Sequence, residues 1–459
     1  MNYQKGKKLL SERFYLTWAG EQMSWTVRMT LKMRDAVDGD LLRQAVESTR
    51  QRYPYYQVKL GFRRDAEGTE YFVYEDNSEP WVTSEGEEPV RLIGPKSNYH
   101  LLAFCYWDDC IVLDFFHCLT DGTGAYNILR TLLYEYSRRR YDATLSRERI
   151  SLPKGVHVER ILTPEGMGMA NIRVAGDIIG PEEWEDPAAQ TKPDHLDPLP
   201  LPERQRCINL ITQAKTAVNE AVETVNILVE EQEMMKYVSS GDTSPATLVS
   251  LLLTRAIAHL HPGFTEGVPM VALAINQRPA LGCPQACQTL ASALRLPLSE
   301  EMRGKDLETQ QIIFRGMVAL QSNDDNVIEN FWQTQNTQDM FEKIPTLEGR
   351  HQAMAKAFSV ASSAATACVS YVGKANLGAA EKYVSEMYTE AYTPYALTIE
   401  MSAVGGMFCI SLMQRFADDT YLDAFLDELH RIGLTYRIAT RHPMTVAPIA
   451  DYLSTTDIR

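Results

Sequence analysis

The stretch VLDFFHCLTDGTGAYNILRTLLYEY, residues 112–136, decides how the rest of the chain is read. Val112, Leu113, Phe115 and Phe116 make an apolar run that ends on His117. Asp121 and Gly122 come next, and then the spacing of apolar residues changes. Ile111, Leu113, Phe115 and His117 share one face by the alternation of a strand. Ile128, Leu129, Leu132, Leu133 and Tyr136 recur as the stripe of a helix, predicted over 123–137. The stretch therefore reads strand, turn, helix, with His117 and Asp121 at the mouth of the turn. A neutral imidazole, with a pKa near ~6.5, takes a proton from an alcohol or amine at neutral pH. Transfer to an activated acyl group such as a thioester needs one such base and donors for the developing oxyanion, and no covalent nucleophile. Asp121 is spaced to turn back and fix the loop, or to pair with an arginine. Gly122 lets substrate or backbone approach closely. A histidine closing a buried strand also reads as a structural residue, and residue chemistry alone leaves both readings open.

Working outward, YHLLAFCYWDDCIVLDFF (99–116) reads as a hairpin that turns at Asp108 and Asp109. AVDGDLLRQAVESTRQRYP (36–54) reads as an amphipathic helix stopped by Pro54. YYQVKLGF and EYFVYE read as strands. Residues 181–204 are rich in proline and acidic residues and read as an inter-domain linker or surface crossing. Beyond them, CINLIT and ETVNILV are strand candidates and EEQEMMKYVSS a short helix. Ser244 then Pro245 open a helix running to His259. GVPMVALAIN (267–276), TACVSYVG (366–373) and GGMFCISLMQRF (405–416) read as strands, and DDTYLDAFLDELHRIG (418–433) as a helix. Strands mix with helices in both halves, which predicts two α/β sandwich lobes, 1–180 and 205–459.

The chain has 459 residues, 45% hydrophobic and 23% charged, enough to bury a large core. Its formal net charge of -15 argues against nucleic acid or an anionic membrane as a partner. Arg138, Arg139 and Arg140 succeed a helical pattern and read as complements to the helix dipole. The eight cysteines form no CxxC pair; buried reduced thiols and a cytoplasmic location are expected. Lys5, Lys7 and Lys8 precede a stretch interrupted by Glu12 and Arg13, so no signal peptide is expected. The apolar segment 248–260 is too short to span a membrane. No G-x-S-x-G, H-E-x-x-H or Walker A motif is present. GTGAYN has Gly122 and Gly124 but Asn127 where a third dinucleotide-binding glycine belongs. His117 and Asp121 have no third ligand nearby, and no metal site is expected.

The strand, the H-x-x-x-D-G of His117, Asp121 and Gly122, and the helix resemble the signature of the chloramphenicol-acetyltransferase-like acyltransferases. That superfamily includes peptide-synthetase condensation domains, alcohol acetyltransferases and plant acyltransferases. LSERFYLTW (10–18) is similar to its opening strand, and VDGDLLRQAVESTRQRYPYYQVKL (37–60) to its first helix. VPMVALAINQRPAL (268–281) resembles a second-domain strand ending in an Arg-Pro pair. VSYVGKANLG (369–378) resembles a later loop of the alcohol-acetyltransferase branch, and 407–433 the closing strand and helix. The resemblance implies two α/β lobes arranged as a pseudo-dimer, with a tunnel in which donor and acceptor meet at His117. It implies His117 as the base, and Asp121 as a loop-fixing residue whose candidate partner is Arg278. It implies Ser370 as an oxyanion donor, Tyr371 as a tunnel or packing residue, and Gly373 and Gly378 as shapers of the loop.

The co-substrate implied is an acyl-CoA or a phosphopantetheine thioester, with no bound cofactor, and the acceptor a small alcohol or amine. No carrier domain is expected within the chain, and a monomer is the default. Three departures narrow the resemblance. Phe116 stands where condensation domains carry a first histidine. Gln57 stands where they carry an arginine. The D-F-G-W-G loop of plant enzymes is absent. These leave a free-standing O- or N-acyltransferase closest to the alcohol acetyltransferases. The alternatives are a binding protein that has lost the chemistry and a free-standing condensation enzyme with carrier-bound substrates. A nucleotide-dependent oxidoreductase would require a bound dinucleotide.

Overall fold

The hairpin forms where its sequence turns. Leu102–Trp107 pairs antiparallel with Cys110–Phe116, Trp107 opposite Cys110. Asp108 takes a left-handed conformation (φ 42°), which a short polar side chain tolerates. The computed structural model describes residues 11–19, 24–145, 157–162, 170–175, 177–178, 192–203, 205–241, 243–263, 265–284, 286–361 and 364–450.

Cys110–Phe116 pairs on its other side with Thr26–Met33. The five-stranded sheet runs Val384–Ala391, Thr26–Met33, Cys110–Phe116, Leu102–Trp107, Thr83–Glu85. Its inward residues Met29, Leu31, Ile111 and Leu113 share a core with two helices. One is Gly39–Arg50, capped by Asp38, which contributes Leu42, Ala45 and Val46. The other is Gly122–Arg140, which contributes Ile128, Leu129, Leu132 and Leu133. The outermost strand, Val384–Ala391, comes from the far half of the chain and pairs antiparallel with Thr26–Met33.

A second, seven-stranded sheet runs Ala291–Pro297, Met270–Asn276, Ala367–Tyr371, Leu397–Val404, Met407–Phe416, Val218–Glu230, Arg437–Pro443. Strand alternation divides its two faces. Val369, Ile399, Met401, Ile410 and Leu412 pack with the helices Pro245–Leu260 and Thr420–Arg431 in a second core. Ser370, Glu400 and Ser411 are cross-strand neighbours on the opposite face. Ser244 caps the helix Pro245–Leu260 from the position its sequence predicts.

Two predicted strands fold otherwise. Residues 10–18 are similar in sequence to an opening strand, but Ser11–Trp18 is a helix. Phe14 and Trp18, one turn apart, meet edge to face at 5.2 Å and pack with Trp25, an i,i+4 aromatic pair that a helix favours. CINLIT makes only a bridge between Cys207 and Val268. Asn209 bends the chain there: its side chain accepts the Ile211 N–H and its carbonyl those of Thr212 and Gln213. Residues 300–361, to which periodicity assigns nothing, carry the helices Leu307–Gln321, Asp324–Phe341 and Leu347–Ala361.

Within the proline- and acid-rich stretch, 181–191 and 204 lie outside the described residues, as do Lys5, Lys7 and Lys8. Residues 192–203 run beside the helix Asp324–Phe341. Lys192 pairs with Glu329 at 2.6 Å, and Asn326 donates to the Leu199 carbonyl at 3.3 Å. Among the described residues no helix is long and apolar enough to cross a membrane. Among the described residues no disulfide links two cysteines.

Candidate active site

The strand Cys110–Phe116 delivers His117 to the boundary between the two sheets. The His117 N–H donates to the Trp25 carbonyl at 2.9 Å. Its own carbonyl accepts the Thr289 hydroxyl at 2.5 Å. The imidazole lies flat on the ring of Tyr15, centroids 4.5 Å apart and planes 9° apart. Tyr15 belongs to the helix Ser11–Trp18, so the segment that departs from the expected strand supplies the surface on which the histidine rests. Nδ1 is buried and meets no hydrogen-bond partner of good geometry, while an edge of the residue stays accessible. Burial pulls the His117 pKa below the ordinary histidine value, against the opposing pull of the Asp121 charge and of its own backbone carbonyl. A neutral imidazole at neutral pH is the result.

The next carbonyls are also held. The Tyr74 hydroxyl donates to the Cys118 carbonyl at 2.9 Å and the Tyr55 hydroxyl to the Leu119 carbonyl at 3.2 Å. The Thr120 hydroxyl donates to the Cys287 carbonyl at 2.8 Å. The turn after His117 is therefore fastened residue by residue.

Asp121 caps the helix Gly122–Arg140: Oδ1 accepts the N–H groups of Thr123 at 3.0 Å and Gly124 at 3.2 Å. The same carboxylate accepts Arg278 Nη1 on Oδ2 at 2.8 Å, Nη2 on Oδ1 at 3.0 Å, and the Leu290 N–H on Oδ2 at 2.9 Å. Burial pushes this carboxyl up, but the Arg278 charge and hydrogen bonds, with the Leu290 N–H, hold it below the usual carboxylate range. Arg278 is 1% exposed and uses all five of its N–H groups. Beyond Asp121 they reach the carbonyls of Ala286 and Gln288 and the Asn276 side chain.

Gly122 is tight for a different reason than expected. A Cβ there would lie 2.3 Å from Cγ2 of Val372, so a side chain from the second lobe, rather than backbone or substrate, occupies the space. Val372 directly succeeds the strand Ala367–Tyr371, and the rest of that loop is tied to the helix Gly122–Arg140. Arg130 donates to the carbonyls of Ala375 at 3.1 Å and Asn376 at 2.8 Å. Gly373 (φ 104°) and Gly378 (φ 65°) take left-handed conformations in it.

No family model and no curated protein matches the sequence. Solved structures do match, over nearly the whole length of both chains. Polyketide synthase associated protein 5 from Mycobacterium tuberculosis is 12% identical, with a TM-score of 0.54 over 94% of this chain and 98% of that one. TRI101 from F. sporotrichioides, complexed with coenzyme A and T-2, is 10% identical, with a TM-score of 0.55 over 94% and 98%. The condensation domain of the monacolin K polyketide synthase MokA is 11% identical, with a TM-score of 0.51 over 93% and 97%.

The chain has the condensation-domain fold.

Placed in the condensation-domain fold, the predicted site residues divide into groups. His117, Asp121, Gly122 and Arg278 meet at one point, through the contacts above. Ser370 faces away from the second core, beside Glu400, whose carboxyl it favours in the charged form through a hydrogen bond. Tyr371 packs against that core and lies 5.7 Å from the Phe408 ring. Thr289, Tyr15, Tyr55 and Tyr74, which hold His117 and its turn, carry no local signal in the sequence. Among the described residues no group of three histidine, cysteine, aspartate or glutamate side chains is arranged to hold a metal ion.

Proposed function

We propose that this protein is an acyltransferase that moves an acyl group from a thioester to a hydroxyl or amine, with His117 as general base and no acyl-enzyme. The observation that carries the reading is His117 itself: neutral through burial, accessible at one edge, and fixed through its N–H, its carbonyl and its ring. Nδ1 is the buried nitrogen, so the proton is assigned to Nε2. The acceptor loses its proton to Nε2 as its oxygen or nitrogen attacks the thioester carbonyl. The tetrahedral intermediate collapses, the C–S bond breaks, and the imidazolium returns the proton to the departing thiolate. Asp121 and Arg278 hold the turn and take no proton. Ser370 is the proposed donor to the oxyanion, and Tyr371 and Gly373 shape the wall around it.

The lobes are read as 1–180 and 205–459, joined through 181–204, with Val384–Ala391 completing the first sheet. The TRI101 complex with coenzyme A supports acyl-CoA as the donor; a carrier-borne phosphopantetheine thioester has the same reacting group. The acceptor is a small alcohol or amine, the active form a monomer. Buried cysteines without disulfides among the described residues support a reducing, cytoplasmic setting.

The test is thiol release from acyl-CoAs of graded length, and from a loaded carrier protein, with mixed alcohols and amines. Wild type should release thiol only when an acceptor is present, and His117→Ala should lose ~10²–10⁴ in rate. Release undiminished in the variant would remove His117 as the base.

A further inference from the structure

The buried carboxylates of this protein keep cations beside them. Asp121 has Arg278, Asp114 has Arg28, and Glu70 has Arg64. Glu135 has Arg52, Glu428 has Arg255, and Glu390 faces Arg28 and His442. Glu400 departs from this pattern. It sits mid-strand in Leu397–Val404, and among the described residues no arginine, lysine or histidine pairs with it. Burial pushes its pKa up to about 7, and only the Ser370 hydroxyl pulls the other way. Uncompensated burial of a carboxylate is costly enough that an ion normally accompanies it.

Glu400 has Ser370 and Ser411 as its cross-strand neighbours, both small. It keeps part of its surface accessible, whereas Thr398 and Ser402 on the same face are buried. Val372, two residues on from Ser370, touches Gly122, and Tyr126 lies one turn further along the same helix, which Asp121 caps. Tyr126 is 2% exposed, its hydroxyl is buried without a hydrogen-bond partner, and the charges of Tyr371, Glu400 and, in the opposite sense, Arg130 act on it. A buried hydroxyl left unpaired costs roughly 1–3 kcal/mol, so this one, on a helix packed over the strand end that pairs with Glu400, marks a place for a ligand group. An ammonium brings three N–H donors; the two Glu400 carboxylate oxygens and the Tyr126 oxygen are three acceptors. The neighbouring loop, at Val372, touches Gly122, beside the turn that carries His117.

We propose that Glu400, with Tyr126, is a subsite for an ammonium group of the acceptor, which is therefore an amino alcohol or diamine whose other end meets His117. This rests on the reading of His117 as the base of an acyl transfer. The acceptor is thus held at its cationic end, and the uncharged hydroxyl or amine is the group that loses a proton.

Binding without any acyl donor tests the subsite separately from the chemistry. Calorimetric titrations would compare ethanolamine, aminohexanol, putrescine and cadaverine with ethylene glycol, hexanediol and the matching simple alcohols. Wild type should bind at least one amine about tenfold or more tighter than its uncharged counterpart, the discrimination of one well-formed charge contact. Glu400→Gln should abolish that preference. Tyr126→Phe, which removes one oxygen only, should weaken it about threefold, and His117→Ala should keep it. No amine binding by wild type, equal binding of amine and alcohol, or an intact preference in Glu400→Gln would each overturn the proposal. Thiol release that ignores His117 while the preference persists would sink the base assignment instead.

Discussion

Arg278 and Asp121 stand 157 positions apart in the chain and 2.8 Å apart in the fold, and both are buried. The carboxylate they share caps a helix of the first lobe, and the guanidinium gathers the loop 286–288 of the second. One ion pair therefore fastens the turn after His117 to the opposite lobe.

Removing one partner leaves the other charge buried alone. Arg278→Ala is expected to cost about 3–5 kcal/mol, read as a lowered urea midpoint with unchanged slope. Asp121→Asn, which keeps the shape and the helix cap, should cost less but still slow acyl transfer.

The same pair sets an acid limit. The Asp121 pKa is lower in the folded than in the unfolded state. Its contribution is therefore complete above the unfolded value of ~3.9 and is lost as pH falls from there through the folded value. Unfolding free energy measured below pH ~5 should fall more steeply for wild type than for Asp121→Asn.

Tyr15 tests how burial tunes the base. With the stacked ring gone in Tyr15→Ala, water reaches the imidazole and the His117 pKa should rise toward its ordinary value. The acid limb of kcat/KM against pH should then move to higher pH. A limb that stays in place would mean that the ring contributes nothing to the desolvation.

Gly122→Ala should destabilise the protein by about 1–3 kcal/mol, the usual cost of overpacking, because the new methyl meets Val372. Val372→Ala in the same chain should restore most of it. Thermal melts of the two single variants and the double variant give the coupling directly.

Thr289→Val removes the donor to the His117 carbonyl while keeping the side chain's volume. A stability loss of about 1 kcal/mol is expected. A fall in kcat larger than the change in KM would mark the hydroxyl as a positioning group, since small displacements of a reacting group cost rate.

How far the sequence alone can be read depends on the range of each interaction. The hairpin at 99–116, the Asp121 cap and the Ser244 cap are written within a few residues, and they form where their patterns predict. Arg278 is reached through resemblance, and geometry adds the five acceptors around it. Thr289, Tyr55 and Tyr74 act across long stretches of chain, and nothing near them distinguishes them from other hydroxyls. The segment 10–18 resembles a strand because aromatic, apolar residues suit either structure; packing with Trp25 decides for the helix. Glu400 reads, one residue at a time, as the polar member of an alternating strand. Only the absence of a cation in three dimensions, among the described residues, sets it apart.

Val384–Ala391 gives the architecture one more property. Because the far half of the chain contributes the edge strand beside Thr26–Met33, the two halves are stitched together by main-chain hydrogen bonds as well as by side chains. A single cut in the polypeptide between the halves would leave fragments that remain associated, the second holding an edge strand of the first one's sheet. Expressed separately, the first half would present a bare, adhesive sheet edge, and its yield of native protein would depend on meeting its complement.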